Sequence, residues 1–182
     1  MEIPASIDYA MGKAPSVPAT SVLRQFASNN GSQFSPTTNE IRINVSADGF
    51  LDGHKSYLYF TINNTNAGAG KALVLDADAL CWVDQIRVES QGLVIERLER
   101  AAVYNNMKWR WQDGIGQIQA RNAKCGGSPL AAPSIANVGQ SLDEATSATF
   151  ACPLPLGFLN THGGKAIPKG AAFDIIVRVN AT

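Results

Sequence analysis

The sequence is short of charge. Only 16% of its 182 residues are Asp, Glu, Lys or Arg, against roughly 25% in an average soluble domain. Fifteen basic residues balance fifteen acidic ones, so neither sign is in excess. Contact with many phosphates needs a surplus of Lys and Arg, so specific nucleic-acid binding is not expected. No apolar run approaches the roughly 18 residues of a spanning helix, so no membrane insertion is expected. The opening Met1-Glu2-Ile3-Pro4 has neither a basic n-region nor an apolar h-region, and no signal peptide is expected there. Cysteine is sparse. Cys81, Cys125 and Cys152 are odd in number, widely spaced and form no CxxC. They are expected to be buried or idle thiols in a reducing compartment. The sequons at Asn30, Asn44, Asn63 and Asn180 are then coincidences of an Asn-, Ser- and Thr-rich chain.

What is present suits one core. Hydrophobic residues make up 45% and aromatics 8%, enough for one all-β domain or a domain plus an arm. A net charge near zero does little to keep molecules apart, so regular association is easy.

Residues 1–35 carry prolines at 4, 15 and 18, with Pro36 just beyond, and keep no period, which predicts an extended N-terminal arm. Its Glu2, Asp8, Lys13 and Arg24 cancel, unlike a basic arm that threads into packaged nucleic acid. Thr20-Ser21-Val22-Leu23-Arg24-Gln25-Phe26 has a capping hydroxyl before apolar residues at helical spacing, so one or two helical turns are expected there.

Residues 36–182 form the predicted domain. Ile41-Arg42-Ile43-Asn44-Val45 alternates as a half-buried strand. Asp48-Gly49-Phe50-Leu51-Asp52-Gly53 is a bend, and Tyr57-Leu58-Tyr59-Phe60-Thr61-Ile62 is a strand apolar enough to be covered on both faces for part of its length. Residues 63–70 form a turn and 72–75 a short strand. A long strand follows over 80–89, with Trp82, Asp84, Ile86 and Val88 on one side. Gln91-Gly92 turns into a strand from Leu93. Leu98, Ala101/Ala102, Asn105 and Trp109, with a Glu96–Arg100 pair, predict a helix over 96–111 that Gly114 and Gly116 stop. Residues 113–145 are mostly a long loop, of the kind used as an interface or surface insertion. Strands return at 148–152, near 156–159 and at 173–179. The tally is seven to nine short strands and one inserted helix, without βαβ alternation. An all-β antiparallel sandwich of jelly-roll type fits best.

Chemistry-bearing patterns are few, and no catalytic, cofactor-binding or metal site is assigned. Two histidines cannot supply the His-rich set of a metal-binding cupin. No G-x-S-x-G elbow occurs. Gly68-Ala69-Gly70-Lys71 lacks both ends of a phosphate loop, with Thr65 and Ala72 where glycine and a hydroxyl belong. Asp76, Asp78 and Asp84 are better read as turn carboxylates than as a cation site. Trp109 and Trp111 around Arg110 are better read as packing residues than as a base-stacking platform.

The order of motifs resembles the N-terminal jelly roll of double-jelly-roll major capsid proteins of icosahedral DNA viruses. The resemblance runs from Phe34-Ser35-Pro36-Thr37-Thr38-Asn39-Glu40-Ile41 through Gly49-Phe50-Leu51-Asp52 and Ser56-Tyr57-Leu58-Tyr59-Phe60. It continues in Ile86-Arg87-Val88-Glu89-Ser90-Gln91-Gly92-Leu93 and Tyr104-Asn105-Asn106-Met107. It closes in Pro153-Leu154-Pro155-Leu156-Gly157-Phe158-Leu159 and Lys165-Ala166-Ile167-Pro168. It spans about residues 34–180. That family carries a second roll, so the expectation is a single-roll subunit or one of two separately made or cleaved halves. The resemblance implies a non-enzymatic capsid subunit that assembles with copies of itself and other capsid proteins into an icosahedral shell. The assembly is a suspected trimer or pseudo-hexameric capsomer, formed inside the host cell and located in the virion. Residues 1–35 would be the inter-subunit arm, and loops 63–71 and 113–145 capsomer or exterior surface. A minor vertex or penton protein is the nearest alternative. A carbohydrate-binding sandwich using Trp82, Trp109 or Tyr57 as platforms is the next.

Overall fold

A computed structural model describes residues 20–46, 48–66, 73–75, 79–112, 141–159, 166–168 and 170–180. Eight strands and one α-helix lie among them. They are β1 (Glu40–Ser46), β2 (Tyr57–Asn63), β3 (Leu73–Val74), β4 (Val83–Ser90), β5 (Leu93–Glu99), α1 (Ala101–Gln112), β6 (Ser141–Leu142), β7 (Ser147–Pro153) and β8 (Ala172–Val179). A 3-10 turn, Gly53–Lys55, precedes β2. Regular structure among the described residues is mostly antiparallel β-sheet with one helix, arranged in the manner of a sandwich.

The pairing is nested. β1 pairs β8, β2 pairs β7, β3 pairs β6 and β4 pairs β5, each antiparallel. β4 also pairs β8, which gives a four-stranded sheet in the order β1-β8-β4-β5 beside the β2–β7 and β3–β6 ribbons. The β4–β5 hairpin turns on Gln91 and Gly92, both at positive φ (51° and 80°), the geometry a tight two-residue hairpin needs.

Alternation puts one side of each strand into a common core. β8 contributes Phe173, Ile175 and Val177; β4 contributes Val83, Ile86 and Val88; β2 and β7 contribute Leu58, Phe150 and Cys152. Ile86 and Val88 are fully buried, each contributing about 1.5–3 kcal/mol. Phe60 of β2 meets Trp82 edge-on at 5.1 Å, tying the ribbon to the root of β4. Phe158 meets Phe173 in the same manner at 5.2 Å.

Several expectations need correction. Residues 20–27 contain no helical turn; an isolated segment so short does not sustain a helix. Instead Phe26 packs against the core, and residues 28–30 pair with the edge of β1. The helix begins at Ala101, not at 96, and the Glu96–Arg100 pair does not form. Residues 93–99 pair with β4 instead, and a ladder of backbone hydrogen bonds outweighs one i,i+4 ion pair of about 0.3–0.5 kcal/mol. Trp82, Asp84, Ile86 and Val88 do not share one side, because the register shifts between Val83 and Gln85. β2 is not covered on both faces: Tyr57 and Tyr59 are exposed while Leu58 is buried. No strand forms near 156–159, where residues 157–159 make a turn. The expectations on residues 1–19, 67–72, 113–140 and 160–165 fall outside the described residues.

Candidate interaction surfaces

The outward side of the four-stranded sheet is set by its register. Three rows cross it: Glu40, Arg178, Gln85 and Glu99; Arg42, Ile176, Arg87 and Arg97; Asn44, Asp174, Glu89 and Val94. Four acids and four arginines therefore share one face. Arginine and acid pair along β1, β4 and β5, two residues apart, and amide side chains bond the acids across the strands. Arg87 Nε lies 2.6 Å from a Glu89 oxygen, although its N–H is not aimed along that line. Arg42 lies 3.4 Å from Glu40, and Arg97 contacts Glu99. Asn44 donates to Asp174 at 2.8 Å, and Gln85 Nε2 donates to Glu99 at 2.8 Å. That amide, followed by the charge of Arg97, holds the Glu99 carboxyl below the ordinary glutamate value against an opposing desolvation. Ile176 is buried on this side between Arg42 and Arg87; arginine stems cover apolar surface while their heads stay wet.

The outward side of the β2–β7 ribbon carries no charge. Its rows are Tyr57 with Pro153, Tyr59 with Ala151, Thr61 with Thr149, and Asn63 with Ser147. Tyr57 and Tyr59 are 58% and 68% exposed. The Thr61 and Thr149 hydroxyls lie 2.9 Å apart and bond to each other across the strands.

A third surface is on α1. Val103, Tyr104, Met107 and Trp111 are exposed, whereas Ala101 and Asn105 are buried. The helix thus presents its small and polar side to the fold. Exposed Val22 and Leu23 lie just before the Phe26 anchor.

The structure scatters the residues that sequence reasoning weighed for chemistry. His54 is exposed in the 3-10 turn. Asp84 is half-buried at the register shift of β4, while Asp76 and Asp78 lie outside the described residues. Among the described residues no three His, Cys, Asp or Glu side chains gather as a metal site would require. Cys81 is half-buried and Cys152 is buried in the core. Trp82 is turned onto Phe60, away from any role as a sugar platform, whereas Tyr57 is exposed. The side chains of Trp109 and Arg110, with all of Cys125 and His162, lie outside the described residues.

Two residues that the sequence suggests as a helix ion-pair partner and a turn residue, Glu96 and Asn64, instead organise the loops. Glu96 accepts the backbone N–H groups of Gly157 (2.8 Å) and Phe158 (2.7 Å). Buried Asn64 donates to the carbonyls of Leu142 (3.2 Å) and Asp143 (3.1 Å) and accepts from the Asn66 N–H (3.2 Å), joining the end of β2 to the turn before β7.

Neither a protein-family model nor a curated protein matches this chain.

Proposed function

We infer that this chain is a structural subunit of a virion. On this reading it is a capsid protein of jelly-roll fold whose copies build an icosahedral shell. The nested order of strand pairing carries the inference. A jelly roll is an antiparallel ribbon rolled upon itself, and such rolling sets the first strand beside the last and each later strand beside its mirror in the sequence. Four of the five described strand pairs follow that order, and the fifth, β4 with β8, joins two of them into the larger sheet. Two outward faces, one self-neutralised and one free of charge, suit a tile that meets others of its kind. The segment before Phe26 acts as the inter-subunit arm, with the fold's boundary at that anchor. A vertex protein would look the same and differ in copy number per particle.

Purified full-length chain should form rings or shells in negative-stain images, with sedimentation to match. A strictly monomeric protein at high concentration would overturn the inference. Removing residues 1–24 should abolish assembly while leaving one cooperative melt. Removal through residue 30 also takes Phe26 and the pairing at β1, and should lower the melting temperature as well.

A further inference from the structure

We propose that the charge-free outward face of the β2–β7 ribbon is a contact between two copies of this chain, packed same face to same face. The proposal rests on the subunit reading above and names one of its interfaces. Charge decides the occupant. The outward side of the four-stranded sheet carries eight charged side chains, while that of the ribbon carries none. A partner bringing a charge to the ribbon would bury it against no counter-charge, which is strongly unfavourable. A second copy presenting the same face brings no charge. It supplies tyrosine, threonine, serine and asparagine groups, which both donate and accept hydrogen bonds. Twofold pairing of identical patches needs that self-complementarity. Tyr57 and Tyr59 give the face rigid aromatic area of the kind enriched where proteins meet.

Area decides how the contact is used. Strands of seven residues at ~3.3 Å per residue, two strands wide, give a footprint of ~230 Å². A stable two-body interface needs ~800 Å² per partner. The face therefore holds copies together only alongside other contacts, as a shell provides.

The test compares wild type, Tyr59→Glu, Thr149→Lys and Tyr59→Phe as full chains, by electron microscopy and sedimentation over a concentration series. Thermal melting checks the fold. The two charged variants should melt as wild type does yet need at least tenfold more protein to assemble, while Tyr59→Phe assembles normally. Should Tyr59→Glu fail to fold, Thr149→Lys decides alone. Charged variants that fold and assemble like wild type overturn this contact and leave the subunit reading intact. A wild-type chain that never assembles overturns both. Glycan-array binding that Tyr59→Ala abolishes, with assembly unchanged, assigns the face to sugars and also overturns the proposal.

Discussion

Glu96 stands opposite Val88, on the inward side of its sheet, and it does not form an ion pair there. Its carboxylate instead clamps two backbone N–H groups of the 157–159 turn, whose Phe158 packs on Phe173. Charge-assisted hydrogen bonds of this kind are worth more than neutral ones. Glu96→Ala should cost about 2 kcal/mol and lower the melting temperature by roughly 4–8 °C. Glu96→Gln keeps one acceptor and should lose about half as much. Equal melting of the alanine variant and wild type would show that the clamp adds nothing. Glu99 carries a pH dependence. Its carboxyl is held low chiefly by the Gln85 amide, so the folded state favours the ionised form. That contribution is complete above the unfolded-state pKa and is lost as pH falls through the lowered folded value. Solvent screens it at this half-exposed site. In a carboxyl NMR titration Glu99 should ionise below an ordinary glutamate, and Gln85→Met should raise it. A midpoint unmoved by that change would refute the assignment. The roles of Glu96 and of Asn64 in tying loops together were not legible in the sequence. Glu96 lies four residues before Arg100, which mimics a helix pair, and Asn64 sits in an Asn- and Gly-rich run that resembles a solvated turn.

At the scale of elements, exposed sheet edges invite unwanted pairing, and chains commonly cover them. Here residues 28–30 cover β1. The Asn29 N–H donates to the Arg42 carbonyl at 2.9 Å. The Asn30 side chain then imitates a backbone, donating to the Glu40 carbonyl at 2.7 Å and accepting the Arg42 N–H at 2.9 Å. Asn30→Ala should cost about 1 kcal/mol and speed hydrogen exchange at the Arg42 amide by roughly fivefold. Unchanged exchange at Arg42 would mean that the segment is held otherwise. The strands themselves were largely readable. Ile41, Ile43 and Val45 alternate cleanly, and the Gln91-Gly92 turn marks its hairpin. The missed features are those decided by pairing across distance. The register shift at Asp84 moves Trp82 off the line of Ile86, and the β4–β5 ladder claims residues that local spacing assigns to a helix.

At the scale of the whole molecule, composition and alternation foretold mostly antiparallel sheet with one helix. They gave no means to tell which outward face is charged. That division depends on register: the polar positions of β1, β4, β5 and β8 fall into shared rows only once the four strands lie side by side. The nested pairing has a further consequence in time. Asn44 bonds to Asp174, 130 residues later, and β8 lies between β1 and β4 in the larger sheet. Ribosomes add about 5–20 residues per second, so β1 waits on the order of 10 s for its neighbour to be made. Contacts so distant in sequence also close slowly. A nascent chain therefore carries β1 and β4 each with an edge awaiting its partner until the strand that locks the larger sheet has emerged.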